Sequence, residues 1–204
     1  MRLFVLGATG GIGRQLLQIG SERGHHITAF VRSPNKISER SGLLKVVEGN
    51  VFNAGQLAQC VAGHDCVLSA FGPATLRTTT LRRDFSRTLA LALGDSKVSR
   101  VEIVSAAFLF PNIGALGYVL TRTLFRNMVP DMAGMESEIM QSWIDWTIIR
   151  PPRLTNGPAT RAYRIADGHL PKGGRSVSRA DVAEFMIGEA EKPRHIPHIV
   201  GIAR

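Results

Sequence analysis

The first strand of the chain runs directly into a glycine-rich turn and a helix, and this succession restricts the fold more than any other feature. The apolar run from Leu3 to Leu6 predicts a buried strand, and glycines follow at positions 7, 10, 11 and 13. Apolar residues then recur at helical spacing. A glycine turn of this kind lets backbone N–H groups and the positive end of the helix dipole face an anion. The turn therefore predicts a site for the pyrophosphate of a nucleotide.

The glycine spacing is Gly7-x-x-Gly10-x-x-Gly13, which differs from the common G-x-G-x-x-G pattern of dinucleotide folds. Glycines also mark ordinary turns, so a tight turn without a ligand is the alternative. The position between a predicted strand and a predicted helix favours the nucleotide site. The predicted cofactor contacts in this turn are consecutive in sequence: Gly7, Ala8, Thr9, Gly10, Gly11, Ile12 and Gly13.

Strand and helix patterns alternate along the rest of the chain, and His198 to Ile202 is predicted to close the sheet as the last strand. Such alternation predicts an α/β protein with a single doubly wound parallel sheet and right-handed crossovers. With 204 residues and no Pro- or Ser-rich linker, residues 1–204 are expected to form one domain. Residues from about 153 to 176 are too few for a second domain and are expected to build the substrate side of the cleft.

The loop after the second predicted strand bears on the choice of cofactor. In dinucleotide folds an acidic residue here bonds the ribose 2′-hydroxyl, whereas an arginine suits a 2′-phosphate. This loop reads Arg32-Ser33-Pro34-Asn35-Lys36 and contains no carboxylate. The Arg32 guanidinium, the Ser33 hydroxyl and the Lys36 charge favour NADP(H) over NAD(H). Solvated loop cations are the alternative interpretation.

The motif GATGGIG, followed later by GNV, SAFG and WTIIRPP, resembles the atypical short-chain dehydrogenases, which are NAD(P)-binding Rossmann proteins. More narrowly, the chain is similar to the small NAD(P)H-binding group that includes NmrA-like proteins and biliverdin-IXβ/flavin reductases. The resemblance implies a Rossmann fold with the cofactor beyond the carboxyl ends of the strands. The further cofactor contacts that the resemblance implies are Asn50, Val51, Ala70, Phe71, Gly72, Ser105, Pro151 and Pro152. For Phe71, a place in the core is an equally good interpretation.

The same resemblance directs the search for a proton donor. In the parent family, a serine after the fifth strand and a Tyr-x-x-x-Lys motif protonate the carbonyl oxygen while hydride reaches its carbon. Ser105 and Tyr118 have the matching spacing, but Arg122 replaces the lysine and cannot exchange protons. Tyr118 and Ser105 are therefore candidate catalytic residues, with a half-buried helical tyrosine as the alternative. In the narrower group, the serine and histidine beside the substrate would fall at Ala106 and Arg153.

Two hypotheses of different classes follow. The first is an NADPH-dependent oxidoreductase that positions the nicotinamide against a flat carbonyl, quinone, flavin or tetrapyrrole-like acceptor. The second, favoured by the missing lysine, is a non-catalytic NADP(H)-binding sensor or regulator of the NmrA type. Candidate substrate contacts at Arg153, Arg161, Tyr163 and Arg164 favour an anionic or aromatic small molecule. An epimerase or dehydratase of nucleotide sugars is disfavoured, because there is no room for a sugar-nucleotide domain.

Charge and composition narrow the partners. The formal net charge of +9 favours anionic partners such as a phosphate-rich cofactor. The basic residues are scattered and match no DNA-reading motif, so nucleic acid is not expected. Neither a membrane span nor a signal peptide is predicted, which favours a cytoplasmic protein. A monomer or a homodimer is expected. Cys60 and Cys66 are read as buried thiols in a reducing compartment, and the histidines show no metal-ligand spacing.

Helical periodicity also predicts which polar side chains face water. Arg82, Arg83 and Arg87 fall on the wetter side of a predicted helix and are read as surface residues. Glu136 and Glu138 are expected to be solvated. The methionine-rich stripe of a helix from 131 to 143, which includes the tryptophan at its end, is read as core.

Overall fold

The computed structural model describes residues 1–73, 77–111 and 113–204, with the side chains of four further residues left outside that description: Asp95, Ala115, Leu116 and Tyr118. The strands are β1 Arg2–Leu6, β2 His26–Val31, β3 Leu44–Glu48, β4 Cys66–Ser69, β5 Arg100–Val104, β6 Asp145–Arg150, β7 Arg153–Thr155, β8 Arg164–Asp167, β9 Ser176–Ser178 and β10 His198–Ala203. The helices are α1 Gly11–Glu22, α2 Ala54–Val61, α3 Leu81–Ser96, α4 Gly114–Thr123, α5 Val129–Met140 and α6 Arg179–Glu191.

The main sheet has the strand order β3-β2-β1-β4-β5-β6-β10-β8. All neighbouring pairs are parallel except β10 and β8, which are antiparallel. Helices α1 and α6 cover one face, and α2, α3 and α5 cover the other, each over its own apolar cluster. The predicted doubly wound α/β fold is therefore confirmed. A second, small sheet pairs β7 with β9 in parallel.

The strand order reverses direction at β1. The chain moves outward from β1 to β2 and β3 and then crosses back to β4 on the other side of β1. At the end of β1, Leu6 is in register with both Phe30 of β2 and Ser69 of β4. The loops that follow these three strands therefore leave the sheet at the same edge, where doubly wound folds bind their ligands.

The structure corrects three expectations about the packing. β10 does not close the sheet, because β8 pairs with it on the outside. The α5 helix ends at Met140, so Trp143 leaves the core stripe and is 73% exposed. Arg82 and Glu136 are buried rather than solvated, since each side chain meets an oppositely charged partner inside the protein. Arg83 and Arg87 are exposed as predicted.

Two helix ends have the residues that local stereochemistry favours there. Gly24 follows α1 with a φ of 78°, a left-handed conformation that glycine adopts without steric cost. Ser178 caps α6, because its Oγ accepts a hydrogen bond of 2.9 Å from the N–H of Asp181. In the described part of the chain, no helix is long and apolar enough to cross a bilayer.

Candidate cofactor-binding and active site

The glycine-rich turn lies at the switch point and is packed too tightly for side chains at two of its glycines. Gly7 has a φ of 74°, and a Cβ there would lie 2.5 Å from the carbonyl oxygen of Ala70. A Cβ on Gly13 would lie 2.6 Å from the Cα of Ala8 and would overlap the Gly7 carbonyl. The first turn of α1 therefore rests directly on the backbone of the loop before it, and its N-terminus is open to a ligand.

The open end of α1 presents backbone donors. Gly10 is the N-cap residue and has no side chain to accept a hydrogen bond from the first turn, which also contains no acidic residue. The side chains of Ala8 and Ile12 are buried in the core, so only their backbone atoms are available to a cofactor. Uncapped N–H groups and the helix dipole together favour a phosphate at this position.

The loop after β2 carries the residues predicted to read a 2′-phosphate. Arg32 and Lys36 are exposed and Ser33 is half-buried. Within the described chain, the Arg32 and Lys36 side chains have no hydrogen-bonding or ionic partner, so their charges remain available. Arg14 of α1 holds this loop against the glycine-rich turn, a role that the sequence did not reveal. Its guanidinium donates to the Lys36 carbonyl at 3.0 Å and to the Ser38 hydroxyl at 3.2 Å.

Asn50 follows β3 and is one of the cofactor contacts that the resemblance implies. Its Oδ1 accepts a hydrogen bond of 3.0 Å from the N–H of Phe52, so the side chain stabilises its own turn. The amide nitrogen of Asn50 remains the group that would bind a base, and this contact stays a prediction. Val51 packs on the apolar cluster beneath the turn.

The loop after β4 crosses the edge of the sheet beside the glycine-rich turn, and Phe71 is partly core. Its ring lies 4.4 Å from the ring of Phe85 and 6.1 Å from that of Phe52, between centroids. The exposed Phe52 and half-buried Phe71 thus form one aromatic wall at this edge. Ala70 is half-buried and Gly72 is exposed, so both predicted contacts lie on the accessible side of the loop.

A buried ion pair holds this loop in place. The Arg82 guanidinium lies beside Gly72 and donates to the Pro73 carbonyl at 3.0 Å. Asp131 of α5 accepts from Arg82 Nη1 at 3.2 Å and from the N–H groups of Arg82 and Arg83 at 3.0 Å each. The carboxylate therefore satisfies the first turn of α3 and the guanidinium together.

The end of β6 is fixed by a second buried ion pair from α5. Both nitrogens of the Arg150 fork, Nε and Nη2, donate to the two carboxylate oxygens of Glu136, with the Nε bond at 2.9 Å. The Arg150 guanidinium also lies 4.7 Å from the centre of the Phe110 ring. With its donors engaged in this way, Arg150 has a structural role. The Pro151 carbonyl accepts from the N–H of Ala107 at 2.9 Å, which joins the exits of β5 and β6.

Ser105 follows β5 and is the predicted site residue with the least satisfied side chain. It is 5% exposed, and its N–H donates to the Ile149 carbonyl at 2.7 Å. Among the described residues, its hydroxyl is buried with no hydrogen-bond partner. A buried unpaired hydroxyl costs free energy, which a ligand that bonds it would recover. Tyr118 lies on α4, but its side chain is outside the described part of the structure.

The segment after β6 is anchored to the start of α6. Asp181 accepts from the N–H groups of Thr160 and Arg161 at 2.7 and 2.8 Å, and hydrogen bonds lower the pKa of its carboxyl although burial opposes them. Three predicted substrate contacts are engaged within the protein: Arg161 pairs with Glu184, Tyr163 packs on Phe185, and Arg164 donates to the Lys172 carbonyl. Arg153 is exposed on β7.

A further arginine, which the sequence did not single out, reaches the glycine-rich turn. Arg179 is the first residue of α6, and its side chain lies against Gly11. Its Nη1 donates to the Asn156 Oδ1 at 2.6 Å. No close group of three metal-ligating side chains occurs among the described residues.

The sequence profile of the NAD(P)H-binding family matches residues 7–193, from the glycine-rich turn to the end of α6. The chain belongs to the NAD(P)H-binding family. The resemblance read from GATGGIG is therefore confirmed, and the family is one that binds a nicotinamide cofactor. The close-packed glycines and the open N-terminus of α1 fit such a cofactor, as does the Ser105 hydroxyl, which has no partner among the described residues.

Similar proteins extend over nearly the whole chain. An uncharacterised Bacillus subtilis protein, YwnB, is 27% identical over 206 residues, covering 96% of this chain and 94% of its own. The fold is shared with the oxidoreductase ylbE of Lactococcus lactis, at 22% identity and a TM-score of 0.85, over 100% of this chain and 91% of the other. It is also shared with the anaerobillin reductase ChuY of Escherichia coli O157:H7, at 20% identity and a TM-score of 0.81, over 100% and 97%.

Proposed function

We propose that the protein is an NADPH-dependent reductase that delivers hydride to a small planar acceptor. The carrying observation is the close-packed turn from Gly7 to Gly13, whose open helix N-terminus suits a dinucleotide pyrophosphate. NADPH, when bound, supplies the hydride from its nicotinamide ring. The protein residues bind and orient the two reactants and exclude water from them.

The preference for NADPH over NADH rests on the loop after β2. Arg32 and Lys36 are exposed cations with no partner among the described residues, and residues 32–36 include no carboxylate to accept a ribose hydroxyl. Arg14 fixes this loop through the Lys36 carbonyl and the Ser38 hydroxyl. The charges are therefore held beside the glycine-rich turn before any cofactor binds, which reduces the entropy lost on binding.

The acceptor side is proposed to lie between the exit of β5 and the segment from 153 to 176, within a single domain. The Ser105 hydroxyl is the group at this edge that can bond a nicotinamide amide or an acceptor oxygen. Flat acceptors are supported by similar folds, since one belongs to the anaerobillin reductase ChuY and another to a putative NADH-flavin reductase of Streptococcus pneumoniae. A planar conjugated acceptor takes hydride with little acid catalysis, which suits a chain with Arg122 in place of the family lysine.

Calorimetric titration with NADPH and NADH tests the cofactor assignment. Arg32→Ala is expected to weaken NADPH binding by about 10- to 150-fold, which corresponds to the loss of a charge-assisted hydrogen bond, and to leave NADH binding within about twofold. Arg40→Ala is the matched control, because it removes the same charge from the same loop while its guanidinium bonds only backbone carbonyls. Equal losses for both cofactors in Arg32→Ala would contradict the 2′-phosphate assignment.

Oxidation of NADPH in the presence of quinones, flavins, aldehydes and linear tetrapyrroles tests the reaction. Turnover of a planar acceptor is the expected result. Tight NADPH binding with no turnover across the panel would instead favour the second candidate, a non-catalytic NADP(H) sensor. The observation that favours this second candidate is Arg122, which stands where the parent family has its catalytic lysine.

A further inference from the structure

Arg179 occupies the space that a side chain at Gly11 would need. A Cβ built on Gly11 would lie 2.5 Å from the Cδ and 2.7 Å from the Nε of Arg179. The arginine thus extends from the start of α6 across the first residue of α1, where the uncapped N–H groups are. The N-termini of two helices and a guanidinium therefore converge at one place on the edge of the sheet.

This packing explains why the turn contains a fourth glycine. Gly7 has a left-handed φ, and a side chain on Gly13 would overlap the backbone of the turn. Gly11 has neither constraint: its φ is not positive, and the atoms that a Cβ would meet all belong to the flexible side chain of Arg179. Position 11 therefore requires glycine because the Arg179 side chain fills the space, and not because the turn itself requires it.

The position is electrostatically unfavourable for an arginine unless an anion is present. A helix N-terminus carries about half a positive charge, so a cation placed there is repelled. Asn156, which accepts from Arg179 Nη1, is neutral, and among the described residues no carboxylate pairs with Arg179. Other arginines of the same edge, Arg82 and Arg150, are paired with buried carboxylates.

We propose that Arg179 is a cofactor-binding residue that contacts the pyrophosphate, and that Gly11 is a glycine because it admits this side chain. The inference rests on the proposed dinucleotide site. The hydrogen bond to Asn156 holds the Arg179 side chain beside Gly11 before the cofactor binds. Because the pyrophosphate is common to both cofactors, Arg179 contributes to affinity without distinguishing NADPH from NADH.

The test compares binding of NADPH and NADH to Arg179→Ala at fixed ionic strength. The affinity of the variant is expected to fall by about 10-fold or more, and by the same factor for both cofactors, because a charge-assisted contact is lost. Arg32→Ala, by contrast, is expected to affect NADPH alone. Arg194→Ala is the matched control, because it removes an exposed arginine just beyond the opposite end of α6 and is expected to change binding of either cofactor by less than twofold.

A double-mutant cycle with Gly11→Ala separates an effect through Arg179 from a direct clash with the cofactor. Gly11→Ala displaces the arginine but favours the helix, so thermal stability is expected to be unchanged or higher while affinity for both cofactors falls. In the Arg179→Ala background, Gly11→Ala is expected to cause no further loss. Additive losses would mean that the two residues act separately and would overturn the explanation of Gly11.

The outcomes distinguish this inference from the proposed function. A wild-type protein that binds neither cofactor would remove the dinucleotide site and the inference with it. Normal binding by the wild-type protein together with undiminished binding by Arg179→Ala would overturn the inference alone. A loss confined to NADPH in Arg179→Ala would also overturn it, because the contact would then be to the 2′-phosphate.

Discussion

The edge at the carboxyl ends of the strands has two halves, one around β1 and β2 and one from β4 to β6, and their cations are paired differently. Around β1 and β2, Arg32, Lys36 and Arg179 have no carboxylate partner among the described residues. Around β4 and β6, Arg82 and Arg150 are buried against carboxylates of α5. The β1–β2 half thus has cations that remain available to an anionic ligand, whereas the β4–β6 half uses its cations to fix the loop after β4 and the end of β6.

This difference separates binding from stability. A buried arginine without its carboxylate is strongly destabilising, because the charge is left uncompensated away from water. An exposed arginine contributes little to the free energy of unfolding, so its substitution is expected to change the affinity for a ligand rather than the stability. Substitutions in the buried ion pairs of the β4–β6 half are therefore expected to lower the free energy of unfolding, and substitutions of the cations in the β1–β2 half are expected to lower cofactor affinity.

The largest expected effect is that of Asp131→Ala. It removes the acceptor of the Arg82 guanidinium and of two N–H groups at the start of α3. We expect a loss of about 3–5 kcal/mol in the free energy of unfolding, measured by urea denaturation. Glu138→Ala is the control: this carboxylate also binds two arginines, Arg83 and Arg87, but at the surface, and about 1 kcal/mol or less is expected. Equal losses in the two variants would remove the distinction between buried and exposed pairs.

A smaller effect, dependent on pH, is expected at Glu102 of β5. Its carboxyl is fully buried, with Oε1 at 3.4 Å from Arg100 Nη2. Burial raises the pKa of Glu102 well above its usual value, although Arg100 opposes the shift. A raised folded-state pKa means that the contribution of Glu102 to stability is complete below the unfolded value of about 4.5 and is lost as the pH rises through the folded value.

Glu102→Gln removes this titration while keeping the shape of the protonated acid. The variant is expected to gain stability relative to the wild type as the pH rises, with the smallest difference at the acid end. Urea denaturation at intervals between about pH 4 and pH 9 measures the difference. A difference that stays constant with pH would show that Glu102 does not titrate in this range, and a wild type favoured at high pH would reverse the sign of the shift.

The smallest effect on the free energy of unfolding is expected for Ser105→Ala, which tests whether the β4–β6 half also contains a group that binds a ligand. The hydroxyl is buried without a partner among the described residues, so its removal is expected to leave the free energy of unfolding unchanged or slightly higher. Cofactor affinity or turnover is expected to fall about 5- to 10-fold, the value of one neutral hydrogen bond. A loss of stability with unchanged binding and turnover would return Ser105 to a structural role.

Local patterns in the sequence were sufficient to predict the fold and the glycine-rich turn. The succession of a strand, a glycine-rich turn and a helix was predicted, and the structure shows that Gly7 and Gly13 of this turn have no room for a side chain. The cap of α6 was also readable, since Ser178 and Asp181 are only three residues apart. Signals of this kind depend on neighbours along the chain, which the sequence displays directly.

The burial of charged residues in the β4–β6 half was predicted less well, because the contacts there join residues that are far apart in the sequence. Helical periodicity placed Arg82 and Glu136 in water, yet each is buried against a charge on another element. Periodicity distinguishes faces of a helix but does not reveal a partner that makes a buried charge tolerable. The assignment of Tyr118 as a proton donor stays a prediction.

The sequence by itself determined the doubly wound fold, the glycine-rich turn between β1 and α1, and the absence of a carboxylate from Arg32 to Lys36. Only the tertiary structure decided which cations are available to a ligand. Arg179 and Arg82 look alike in the sequence, but one lies over the end of α1 and the other is enclosed with Asp131. The physical reason is that the free energy of a charge depends on its burial and on the nearest opposite charge, and both are set by the packing of distant elements.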